Sequence, residues 1–71
     1  MSQAPDPNAP IQNLVNFGFN PRLIETLQDD MGINTIADAL ARNPAQESRQ
    51  FPDDNLRQAV YAALQKAGYL S

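Results

Sequence analysis

The side chains of this chain that could do chemistry are nearly all carboxylates. Asp and Glu number eight against five Lys and Arg, and neither cysteine nor histidine is present. That composition excludes an imidazole base, a thiolate nucleophile and any metal that needs nitrogen or sulfur ligands. Carboxylates do occur in adjacent pairs, Asp29-Asp30 and Asp53-Asp54. Acid–base catalysis needs one of such a pair raised toward neutral pH by burial or a like charge. Both pairs fall at predicted helix ends, in water, where nothing lifts a carboxyl pKa. A hard cation such as magnesium needs more oxygen ligands than two carboxylates supply. No glycine-rich phosphate loop and no nucleophile with a base beside it can be found. No enzyme activity, metal or cofactor is expected.

The elements that must carry these residues fit one small domain. A chain of 71 residues buries only about 60% of its unfolded surface, and a single core of that size supplies roughly 3–5 kcal/mol. Such a core leaves little room for a pocket. The net charge of −3 and pI of about 4.4 argue against nucleic acid as the main partner. No apolar run approaches the roughly 20 residues needed to span a bilayer, and the N-terminus lacks the basic and apolar regions of a signal peptide. A monomeric, cytoplasmic domain that binds a protein partner is expected.

Residues 1–10 hold Pro5, Pro7 and Pro10 among small polar neighbours, which predicts a disordered leader. The spacing of Pro7 and Pro10 also suits a proline-rich ligand, although one bare PxxP is a weak signal and a plain linker explains it better. Over 11–17, Ile11, Leu14, Val15 and Phe17 predict a short helix stopped by Gly18. Asn20 then reads as an N-cap with Pro21 at the first helical position, and Phe19 and Ile24 are spaced as a hydrophobic staple. This second helix places Leu23, Ile24, Leu27 and Met31 on one face, with Arg22, Glu25, Gln28 and Asp29 outside. Asp29 and Asp30 lie in its last turn, where the helix dipole disfavours them by about 0.3–1 kcal/mol. They read either as a partner-binding patch or as a solvated turn.

Gly32 stops that helix, Ile33 plugs the turn, and Asn34 is placed to cap a third helix running to about Arg42. Ile36, Ala37 and Leu40 would face inward, and Asp38 with Arg42 would form an i, i+4 pair. Asn43-Pro44 ends the helix, and 44–50 is polar. Phe51 then acts as an apolar plug before Asp53 or Asp54 caps a final helix. That helix carries Leu56, Val60, Ala63, Leu64 and Ala67 on one stripe. Gly68 closes it, with Tyr69 folded back on Leu64. Tyr61 shares the opposite face with Arg57, Gln58 and Gln65, either as an interface anchor or lying over a neighbouring helix.

The stretch Phe19 to Arg42 resembles the C-terminal domain of the bacterial RNA polymerase alpha subunit. The motifs that carry the likeness are Gly32-Ile33-Asn34-Thr35-Ile36-Ala37-Asp38-Ala39-Leu40 and the closing Leu64-Gln65-Lys66-Ala67-Gly68-Tyr69-Leu70. The likeness extends over about residues 11–71. It implies four short helices packed as paired helix-hairpin-helix units. In that family an arginine early in the second helix and a basic turn before the last helix hold DNA phosphates. Arg22 stands at the matching arginine. The basic turn is replaced by Pro52-Asp53-Asp54-Asn55, where a proline removes an N–H and two carboxylates stand in for two cations. The scaffold is expected to remain and the DNA grip to be lost. A second resemblance, over Leu14 to Asn43 with Phe17-Gly18-Phe19, is to ubiquitin-associated domains, although the usual methionine is missing and 44–71 lie outside it.

The resulting expectation is an all-α bundle of four short helices over 11–71 behind the leader. Its function would be protein–protein interaction, beside a transcription complex or another cytoplasmic assembly. Contact residues would be Arg22, Glu25 and Asp29 on the second helix, with Asp53, Asp54, Arg57 and Tyr61 around the start of the last. The rival readings are a weak DNA-binding helix-hairpin-helix domain, using Arg22, Arg42 and Arg49, and a ubiquitin-associated-like binding domain.

Overall fold

The computed structural model describes residues 6–46 and 51–70. Four helical elements account for the regular structure, and no strand occurs among the described residues. Ile11–Phe17 forms a 3₁₀ helix. In this winding residues three apart eclipse, so Ile11, Leu14 and Phe17 fall in one row. Ile11 and Leu14 are fully buried, whereas Phe17 at the end of the row is 38% exposed. Phe17 belongs to the apolar pattern that predicts this helix, yet it lies at the surface. The reason is Gly18, left-handed at φ 93, which turns the chain so that Phe19 enters the core instead.

The next helix begins as expected. Asn20 Oδ1 accepts from the Arg22 N–H at 2.9 Å, and Pro21 occupies the first turn of α1, Pro21–Glu25. The helix does not continue as α to Met31. From Thr26–Asp30 it is wound as a π-helix, and the Ile33 N–H reaches back to the Leu27 carbonyl at 2.8 Å. Ile24 and Leu27 are buried, with Leu23 half-buried. The unfavourable acids at this end are offset by a cation from elsewhere: Arg42 Nη2 donates to the Met31 carbonyl at 2.7 Å.

Thr35, and not Asn34, caps the third helix. Its hydroxyl accepts from the Asp38 N–H while the Asp38 carboxylate accepts from the Thr35 N–H, a reciprocal capping box. Asn34 contributes its own N–H to the same carboxylate. A hydroxyl and an acid three residues apart satisfy one amide each, a reciprocity that Asn34 at its position does not have. Helix α2 is correspondingly short, Ile36–Leu40. Asp38 and Arg42 form no direct ion pair, because the carboxylate is committed to the cap and the guanidinium to Met31; the Asn34 and Thr35 amides lower the Asp38 pKa most, and the charge of Arg42 adds to them. Ala39, fully buried, joins Ile36 on the inward face.

Of the predicted leader, residues 1–5 lie outside the described residues, and 6–10 are docked rather than disordered. The Pro7 carbonyl accepts from Ala37 N–H at 2.7 Å, the Ala9 carbonyl accepts from Ile36 N–H at 3.0 Å, and Ile11 N–H donates to Asn34. The first amides of α2 have no partner within their own helix. A proline-rich strap suits them, because it presents carbonyls while carrying few N–H groups of its own. The strap also meets the far end of the chain, where Tyr69 Oη donates to the Asp6 carbonyl at 2.8 Å.

Helix α3 spans Asp54–Ala67 and ends at Gly68, φ 92. The Tyr69 N–H bonds the Leu64 carbonyl at 2.9 Å, and Tyr69 packs half-buried against the core. This is the glycine-closed end that the spacing predicts. Leu56, Val60, Ala63 and Leu64 are buried, and α3 packs mainly on the 3₁₀ helix, as α1 also does. Phe51 and Ile33 complete the core at 7% and 0% exposure.

Candidate functional site

The site with most internal structure is the turn entering α3. Asp53 is its N-cap: Oδ1 accepts from Asn55 N–H at 3.0 Å. Asp54, the first helical residue, accepts from Arg57 Nε at 2.7 Å and from Gln58 Nε2 at 2.8 Å, one carboxylate oxygen for each. The Arg57 hydrogen bond, chiefly, holds the Asp54 carboxyl below its ordinary pKa. Arg57 then extends inward, and Nη1 donates to the buried Pro44 carbonyl at 2.6 Å. Arg57 is therefore buried, at 7% exposure, and not on the open surface. The sequence reading put it on the outer face with Tyr61. An acid three residues earlier and a buried carbonyl in the preceding loop draw it in.

Asp53 and Asp54 stay exposed, so this turn shows carboxylate to the solvent. Tyr61, one turn beyond Arg57, is half-buried, and its Oη accepts from Gln65 Nε2 at 3.1 Å.

The second set lies on α1 and its π continuation. Arg22, Glu25 and Asp29 are all exposed, and the spacing i, i+3, i+7 keeps them near one helical face. The guanidinium of Arg22 has no hydrogen bond or ion pair to another described residue, in contrast to Arg42 and Arg57. The fold thus joins Asp54 and Arg57 in one network, sets Asp53 beside it on the Asn55 amide, and leaves Arg22, Glu25 and Asp29 on a separate helix. In the rival basic set, Arg42 is spent on Met31 and Arg49 lies outside the described residues. Among the described residues no group of three or more Asp or Glu could hold a metal ion. None of their helices is long and apolar enough to cross a membrane.

Two residues outside the expected set also stand out. Phe17 is the one exposed large hydrophobic side chain among the described residues. Lys66, exposed in the last turn of α3, sets its ammonium over Gly18, 3.6 Å from where a Cβ would stand. Only the two phenylalanines flanking Gly18 hinted at this, since a left-handed residue sends one of them inward and the other out. No family model, curated protein or solved structure matches this chain.

Proposed function

We propose that this chain is a non-enzymatic protein-interaction module. Its scaffold would be like that of the polymerase alpha C-terminal domain, with a phosphate-gripping turn converted into an acidic, self-satisfied one. The observation that carries the reading is the commitment of Arg57. A turn that grips phosphate needs free amide N–H groups and cations turned outward. Here Asp53 takes the Asn55 amide, and the nearest cation is turned inward to Asp54 and Pro44. Phosphate approaching this end would meet two exposed carboxylates. Arg22, Glu25 and Asp29 add a mixed-charge face on α1 that suits a polar protein surface. A cytoplasmic location, beside a transcription assembly or a comparable complex, belongs to the same proposal.

The exposed, unpaired Arg22 is the one feature that favours the alternative of weak DNA binding. Fluorescence anisotropy with a labelled duplex separates the two. Binding confined to low salt, without sequence preference, agrees with the proposal, and tight binding at physiological ionic strength overturns it. Affinity capture with the full chain supplies the positive arm. Asp53→Asn keeps the cap and removes the charge, so a protein captured by the wild type should be lost or weakened with this variant or with Arg22→Ala.

A further inference from the structure

We infer that the corner formed by Phe17, Gly18 and Lys66 docks an acidic peptide segment carrying an apolar side chain. The inference rests on the protein-interaction reading but uses a surface separate from the acidic turn. Phe17 continues the buried row of Ile11 and Leu14 and emerges at its end. Its exposed part is therefore apolar surface that continues the buried row at the end of the 3₁₀ helix. The position is held by hydrogen bonds, with Gly18 N–H bonded to the Val15 and Leu14 carbonyls and Phe19 N–H to Leu14 at 3.2 Å.

A single exposed aromatic is ordinary by itself. What adds to it is the cation at its foot. The Lys66 ammonium lies over Gly18, the next residue in the chain, and makes no hydrogen bond or ion pair with another described residue. It remains unpaired in a chain whose acids exceed its bases by eight to five. An exposed aromatic at one residue with a cation lying over the next complements an apolar side chain flanked by carboxylates. A basic segment would be repelled by Lys66 and would go instead to Asp53 and Asp54.

The test is selection from a random peptide library displayed on phage, against the immobilised full chain and against Phe17→Ser and Lys66→Gln. The expected result is enrichment of sequences with Phe, Leu or Trp beside Asp or Glu. Binding of the enriched peptide should weaken about tenfold or more in Phe17→Ser and about two- to fivefold in Lys66→Gln. Circular dichroism of each variant checks the fold, and Lys66→Gln, an exposed substitution, keeps the test open should Phe17→Ser unfold. Enrichment of basic sequences indifferent to both substitutions overturns this surface while leaving the interaction module standing. Failure to enrich any sequence overturns both.

Discussion

Replacing Arg57 by methionine tests whether the turn entering α3 is an internal brace. Methionine keeps an apolar stem of similar length and removes the guanidinium. The Pro44 carbonyl, buried and bonded at 2.6 Å, loses its donor. Leaving such a group unsatisfied costs about 1–3 kcal/mol, out of roughly 3–5 kcal/mol for a core of this size. With a urea m-value of about 1 kcal/mol/M, the midpoint should fall by about 1–3 M. The assay is urea unfolding followed by circular dichroism, repeated from pH 7 to pH 3. Asp54 adds a pH signature. Its folded-state pKa is lowered, mainly by the Arg57 hydrogen bond, so its contribution is fully present above the unfolded value of about 3.9 and is lost as pH falls through the folded one. The gap between wild type and variant should therefore narrow below about pH 4 without closing, because the Pro44 bond does not titrate. An unchanged midpoint at pH 7 would show that Arg57 points to solvent and would restore it as a contact residue.

Three further outcomes follow from the hydrogen bonds. Thr35→Ala removes the N-cap of α2 and should cost about 0.5–2 kcal/mol, whereas Asn34→Ala should cost less, since its side chain makes only a 3.4 Å bond to Gly32; chemical denaturation of both variants ranks them. Tyr69→Phe should speed amide hydrogen exchange at Ile36 and Ala37 while leaving the core of α3 protected, because the Asp6 carbonyl loses its anchor and the strap that covers those amides loosens. Gly18→Ala should destabilise by about 1–2 kcal/mol through its left-handed backbone, a loss that shortening Lys66 does not relieve, since the ammonium is the mobile end of a flexible chain.

The parts of the fold legible in the sequence were those written in local chemistry. Asn20-Pro21, Gly18, Gly68 and the stripe from Leu56 to Leu64 state a cap, two left-handed stops and a helix face within a few residues each. Less legible were features decided between distant segments. Nothing near Asp29 and Asp30 announces that Arg42 will settle on the Met31 carbonyl, and nothing in the strap announces that α2 needs its carbonyls. Asn34 and Thr35 are both good caps by residue type, and the choice fell to Thr35 because Asp38 stands three residues beyond it. The outer face of α3 was misread for the same kind of reason. Arg57 sits on the polar side of the helical wheel, but a long side chain can turn back across a helix to a buried carbonyl.

That reassignment alters what the acidic turn means. As an exposed cation beside two exposed acids, Arg57 would have made the turn amphoteric and open to either phosphate or protein. Drawn inward, it leaves the surface to Asp53 and Asp54, and it binds the loop through Pro44 to the helix through Asp54. Building a phosphate-binding turn at this position would then take more than exchanging acids for lysines. Lysine at 54 would place a second cation against Arg57 and release the brace, so a gain in DNA affinity would be coupled to a loss of stability. The acidic turn is in that sense part of the architecture, because the same guanidinium that bonds Asp54 also closes the buried Pro44 carbonyl.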